Sequence, residues 1–177
     1  GLAFDRQKYR ARNQYPHLAR ILASTCTLLL KAQALPPTNA ESVALAVALI
    51  GYNGARDEIL STFFEQVASA SPAIRAAVFE EYVALQRRLR PNEPRVHLFM
   101  GLRWRSAFEL KPDDAAWTYQ LLADKRKSAD LRAASLFAAV SISLAKDTDR
   151  QAHLVALKPL VADDQELASQ LEMYLKP

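Results

Sequence analysis

Hydrophobic and polar positions follow one another along this chain in blocks of helical spacing, and three long stretches share the same order of blocks. In 59–79 (ILSTFFEQVASASPAIRAAVF), 119–137 (YQLLADKRKSADLRAASLF) and 154–175 (LVALKPLVADDQELASQLEMYL), an apolar run yields to a short polar break, then to a second run opening on an aliphatic residue. Two amphipathic helices joined by such a break fold back into an antiparallel pair. A single pair has an apolar face left over and covers it by leaning on the next pair. The expected fold class is therefore all-α, with stacked antiparallel helix pairs forming an α-solenoid or a compact irregular α-bundle of about eight to nine helices.

The same pattern places the remaining elements. Pro16 suits a first helical position, and Leu18, Ile21, Leu22, Leu28 and Leu29 continue an apolar helix that ends near Gln33, before Pro36-Pro37. Thr38 and Glu41 have capping-box spacing and open a helix whose Val43, Leu45, Val47, Leu49 and Ile50 are apolar nearly all round, which predicts a central position. Gly51-Tyr52-Asn53-Gly54 closes it in a turn. A helix over 55–68 buries Ile59, Leu60, Phe63, Phe64 and Val67, and the next starts at the cap Ser71-Pro72 and runs to Arg90-Pro91. Residues 95–110 fit a strand through Val96, Leu98, Met100 and Leu102 and a helix through Leu98, Leu102, Ala107 and Leu110; helix is favoured because a lone strand would lack a pairing partner. Lys111-Pro112-Asp113 resets the chain for helices over 114–125, from Ser128 through Leu144, over 150–161 and over 165–175, with Pro159 expected to kink or shorten the third of these.

The second helices carry a recurrent opening. Ser71-Pro72-Ala73-Ile74-Arg75-Ala76-Ala77 and Ser128-Ala129-Asp130-Leu131-Arg132-Ala133-Ala134 agree closely, and Asp163-Asp164-Gln165-Glu166-Leu167-Ala168 agrees loosely, with alanine in the arginine position. Asn39-Ala40-Glu41-Ser42-Val43-Ala44 matches only in its anchor. This opening resembles HEAT-type repeats over roughly residues 38–175. The resemblance implies a scaffold that docks a protein along successive second helices, and it implies that Arg75 and Arg132 tie neighbouring repeats through an acidic partner. The anchors Val43, Ile74, Leu131 and Leu167 lie 31, 57 and 36 residues apart, so the middle interval holds one helix more than a pair, the 95–110 segment.

Composition narrows the classes. Half of the 177 residues are apolar and only four are glycine, which excludes a disordered chain and disfavours a turn-rich β-sandwich. The length fits a single α-helical domain over 16–177 behind a basic N-terminal arm or short first helix over 1–15. A single cysteine, Cys26, excludes an internal disulfide and lies in an apolar run where a buried thiol is expected. No run reaches the ~18 apolar residues of a membrane span, and the expected location is the cytoplasm. The chain opens on Gly1 without methionine, so a periplasmic or membrane-anchored soluble domain with upstream signal or anchor is the alternative. Net charge is +4, but residues 1–31 hold six basic side chains against Asp5, while the rest holds 17 basic against 18 acidic. The positive character belongs to the arm, through Arg6, Lys8, Arg10 and Arg12.

Residues with chemistry are scattered. His17, His97 and His153 have no metal-ligand spacing, and no glycine-rich phosphate loop exists, so neither metal nor cofactor is expected and the chain reads as no enzyme. Of the acidic pairs Glu80-Glu81, Asp113-Asp114 and Asp163-Asp164, the last two fall where helices begin and read as caps, not cation ligands. Binding character remains in the basic clusters Arg87-Arg88-Leu89-Arg90, Arg103-Trp104-Arg105 and Lys125-Arg126-Lys127. Arg87, Arg88, Arg90, Arg103, Trp104 and Arg105 are the candidate partner-binding residues, because tryptophan and arginine dominate interface hot spots. Trp117 and Tyr119 read as core or rim residues of their helix. The leading expectation is a non-enzymatic interaction or scaffold module holding a protein partner, alone or within a larger envelope assembly. The alternative is a nucleic-acid-binding helical module using the basic clusters, and a membrane enters only through the basic arm or an upstream anchor.

Overall fold

The computed structural model describes residues 21, 23–28, 40, 43–44, 58–95, 110–142 and 149–176. The basic arm, Arg103, Trp104, Arg105, the Thr38/Glu41 box, the 51–54 turn and the ambiguous 96–109 stretch fall outside them. Among the described residues, six α-helices and one 3-10 helix have defined bounds, residues 21, 23–28, 40, 43–44 and 95 are helical as well, and there is no strand. The chain divides into two compact units, Gly1–Pro91 with Arg103–Phe108 and Asn92–Leu102 with Glu109–Pro177.

In the first unit, helix α1 spans Glu58–Ser69 and α2 spans Pro72–Leu89. Ser71 is extended, and its hydroxyl accepts from the amide of Ile74 at 3.4 Å, filling one of the orphan donors of the α2 N-terminus. Pro72 occupies the first turn, where no amide donor is needed, and Arg87 and Arg88 place cations in the last turn, toward the negative end of the helix dipole. Phe63, Val67, Val78, Phe79, Tyr82 and Val83 are buried, as are Ala23, Cys26, Val43 and Ala44 further up the chain.

The second unit starts with Pro112–Asp114, a 3-10 turn, and continues through α3 (Ala115–Ala123), α4 (Ala129–Ile142), α5 (Arg150–Val161) and α6 (Gln165–Leu175). Helix α3 packs on α4 and α5 on α6; α3 also meets α5, and α4 meets α6. First helices are thus neighbours of first helices and second helices of second, which is the geometry of two pairs stacked in register. Helix α4 is central, with 11 of its 14 residues buried. Alanines 133, 134, 138 and 139 let neighbouring backbones approach it, while Leu131, Leu136, Phe137 and Val140 supply apolar area. Each such fully buried large side chain contributes about 1.5–3 kcal/mol.

The boundaries agree with the periodicity over 150–161 and 165–175, and they differ around α3. There the chain leaves the helix at Asp124, whose backbone is extended and whose carboxylate grips Arg126 through its Nε and Nη2, both at 2.9 Å. Pro159 does not shorten α5: it lies exposed in the last turn, and the helix continues to Val161. A proline so close to the end forfeits a single intrahelical bond, toward the carbonyl of residue 155.

Candidate functional site

Arg75 and Arg132 occupy the same place in the two matching sequence blocks, four residues after the capping serine. Both are buried, at 2% and 6% exposure. Arg75 Nη1 donates to the carbonyl of Val67 at 3.0 Å, in the last turn of α1. Arg132 Nε donates to the carbonyl of Leu122 at 2.9 Å, in the last turn of α3. The Val67 carbonyl also takes the Ala70 amide at 3.3 Å, and each arginine adds a donor to a last-turn carbonyl of the first helix from inside the second. The serines match as well, since Ser128 Oγ accepts from the amide of Leu131 at 3.2 Å as Ser71 does from Ile74.

Arg132 reaches further. Its Nη2 donates to the carbonyl of Leu160 at 3.1 Å and to Asp163 Oδ1 at 2.8 Å, and its Nη1 donates to Asp163 Oδ2 at 3.1 Å. One planar guanidinium therefore joins the end of α3, the end of α5 and the α5–α6 turn. A fork of fixed geometry suits three acceptors in nearly one plane, which an ammonium cannot match. Hydrogen bonds from Arg132 hold the Asp163 carboxyl below the usual carboxylate range. The adjacent Asp164 acts on the helix instead, where its Oδ1 accepts from the amides of Glu166 and Leu167 at 3.1 and 3.2 Å and caps α6. Of that acidic pair, one member caps and the other anchors the arginine. Asp114 caps the 3-10 turn, its buried carboxylate accepting from the Lys111 amide at 2.9 Å, and it also accepts from the Trp117 indole at 2.7 Å. Trp117 is core, 5% exposed.

The half-buried His153 joins three helices. Tyr119 Oη on α3 lies 2.9 Å from its Nδ1, and its Nε2 lies 2.9 Å from the carbonyl of Ala139 near the end of α4. With Nε2 protonated it donates to the carbonyl, and Nδ1 accepts from the tyrosine hydroxyl.

The basic clusters are partly consumed by the fold. Arg87 Nη1 donates to the carbonyls of Arg90 and Pro91 at 3.3 and 3.0 Å, and Arg90 Nη2 donates to the buried Gln86 Oε1 at 2.6 Å, so both secure the end of α2. Arg88 is exposed beside them. In the α3–α4 turn Lys125 and Arg126 are 71% and 91% exposed, but Arg126 is chelated by Asp124, whose carboxyl it holds down to about 2. Lys125 Nζ lies 3.7 Å from Asp163.

Helices α5 and α6 also present exposed apolar side chains. Val155 and Met173 are 46% and 60% exposed. An open depression of about 710 Å³ is lined by Asp164, Gln165, Glu166, Ser169, Gln170 and Met173. Arg95 faces Asp164 at 3.7 Å and pairs with Glu166. Gln170 is 3% exposed, and neither its amide oxygen nor its amide nitrogen has a hydrogen-bond partner among the described residues. A glutamine in a helical run carries no sequence signal for this, since only the surroundings separate it from the satisfied Gln86.

Among the described residues, no three His, Cys, Asp or Glu side chains gather as a metal site, and no helix is long and apolar enough to cross a membrane. Cys26 is fully buried, and burial pushes its thiol up to about 11. No protein-family model, curated protein or solved structure matches this chain.

Proposed function

We propose that this chain is a non-enzymatic α-helical interaction module of HEAT-like build that holds a protein partner on the outer face of its last helix pair. The observation that supports it is the outward presentation of Val155 and Met173 on α5 and α6, next to an α4 that is buried nearly throughout. Stacked pairs offer a ridged surface, and large apolar side chains on that surface suit docking. The ionisable groups nearby are engaged in internal ties: Arg132 with Asp163, Arg95 with Glu166, and Lys158 Nζ with Glu172 at 3.0 Å.

Immobilised chain incubated with an extract of its source organism tests the proposal. A specific protein is expected to be retained, and the Val155→Lys, Met173→Glu double variant is expected to lose about tenfold or more of it, the scale of a removed hot spot. Lys125→Ala, on the α3–α4 turn, is expected to retain the partner. Absence of a retained protein, or equal retention by the double variant, overturns the proposal.

The nucleic-acid alternative draws support from the exposed Lys125 and Arg126. It is the weaker reading, because Asp124 and Asp163 already meet those cations. Fluorescence anisotropy with single- and double-stranded oligonucleotides at about 50 mM salt decides it, since a phosphate track binds there and releases steeply as salt rises.

A further inference from the structure

We propose that the depression along α6 binds the main chain of an extended, cation-bearing segment of a protein partner, with Gln170 as the group that recognises the peptide backbone. The inference rests on the docking reading above and gives it a site and a ligand chemistry.

Gln170 carries the argument. A primary amide presents two donors and an acceptor with two lone pairs, and burying these without partners is unfavourable for folding. An apolar side chain of similar length would fill the same space without that cost. Gln86 shows the satisfied case in this same chain, with its buried Oε1 taking a bond from Arg90. Gln170 has no such arrangement among the described residues, yet it lines the depression together with Ser169 and Met173. Its three side-chain torsions allow the covered amide to turn toward a ligand seated there. The partner that matches a primary amide's donor and acceptor together is a secondary amide, which every residue of an extended polypeptide except proline offers.

The flanks define the rest of the ligand. At the N-terminal end of α6 two carboxylates, Asp164 and Glu166, face one guanidinium, that of Arg95, leaving one net negative charge among the described residues. A lysine or arginine of the ligand suits that end, and a phosphate backbone does not. Toward the other end stands the thioether of Met173, 60% exposed, a flexible apolar contact. From residue 166 to residue 173 the helix rises about 10 Å, the reach of about three residues of extended chain. The ligand is thus a strand-like segment with a basic residue and, some three residues on, an apolar one.

The test uses a displayed library of random 12-residue peptides, selected on the full chain, with the selected sequences synthesised and titrated by fluorescence anisotropy against wild type, Gln170→Met and Met173→Glu. The expected result is a set of peptides bearing a basic residue, about tenfold or more weaker on Gln170→Met, while that variant's melting temperature equals or exceeds the wild type's. A purely structural glutamine cannot give that combination, because its replacement would move stability and leave affinity alone. Peptides that bind Gln170→Met as well as wild type, or a selection that yields no binder, overturn the inference. The docking proposal is judged separately: a natural partner retained equally by wild type and Gln170→Met leaves docking intact and removes only the role given to Gln170.

Discussion

Arg132 is the residue whose loss the second unit can least absorb. Four hydrogen bonds converge on its guanidinium, two of them to backbone carbonyls at the ends of different helices. Arg132→Met is expected to cost roughly 1–3 kcal/mol, because it leaves two backbone carbonyls at helix ends without their donor, whereas the exposed Asp163 carboxylate returns to water. Arg132→Lys is expected to recover only a minor part, since a point charge cannot hold three directions at once. Urea denaturation of both variants measures this. Asp163 adds a pH dependence. Its carboxyl titrates lower in the fold than in the unfolded chain, so the stability it adds is fully present above about pH 4 and is lost as pH falls through the folded value. Asp163→Asn is expected to flatten the acid limb of the stability profile in that window and to leave its shape near neutrality unchanged, as a series of thermal melts will show.

At the scale of helices, the legible signals are local and chemical. Ser71-Pro72 and Ser128 mark two helix starts because a hydroxyl at that spacing meets the third amide, a contact spanning three residues. The 150–161 and 165–175 boundaries are legible for the same reason, with Asp149 and Asp164 capping them. Periodicity carries α3 two residues too far, because the Asp124–Arg126 chelate ends that helix. Long-range ties are beyond reach of spacing alone: Tyr119 with His153 is a contact between residues 34 apart, set by how two helices lie together. The arginines are intermediate, for the repeat-like opening implies a tie at Arg132 to an acidic neighbour but gives no hint of its carbonyl partners. Of the predicted binding residues, Arg87 and Arg90 serve the end of α2, and nothing in the residue order singles out the unmatched amide of Gln170. Two substitutions follow. Ser128→Ala is expected to lower stability by about 1 kcal/mol through loss of the cap. Pro159→Ala is expected to raise it by roughly 1–3 kcal/mol, because an exposed last-turn position gains an amide donor and loses a ring clash. Calorimetric melting points of the two variants should move in opposite directions.

For the molecule as a whole, burial separates the groups that fold the chain from those available to meet another. Cys26 belongs to the first kind. With its thiol pushed up to about 11 and no exposed surface, the native chain at pH 8 is expected to react with a water-soluble disulfide reagent at least roughly 100-fold more slowly than the denatured chain. Because the folded value lies above the unfolded one, the stability linked to the neutral thiol is complete below about pH 9 and fades as alkalinity approaches that raised value. A stopped-flow absorbance trace reads the first effect, and melts at rising pH read the second. The arginine that closes α3 and α5 has a different consequence, which concerns inheritance. Its acceptors at positions 122 and 160 are peptide oxygens, a feature shared by all twenty residue types. Side chains there can drift through generations without erasing those two bonds, whereas the other two need the carboxylate at position 163, so the memory of how these pairs adhere is stored in two codons, 132 and 163.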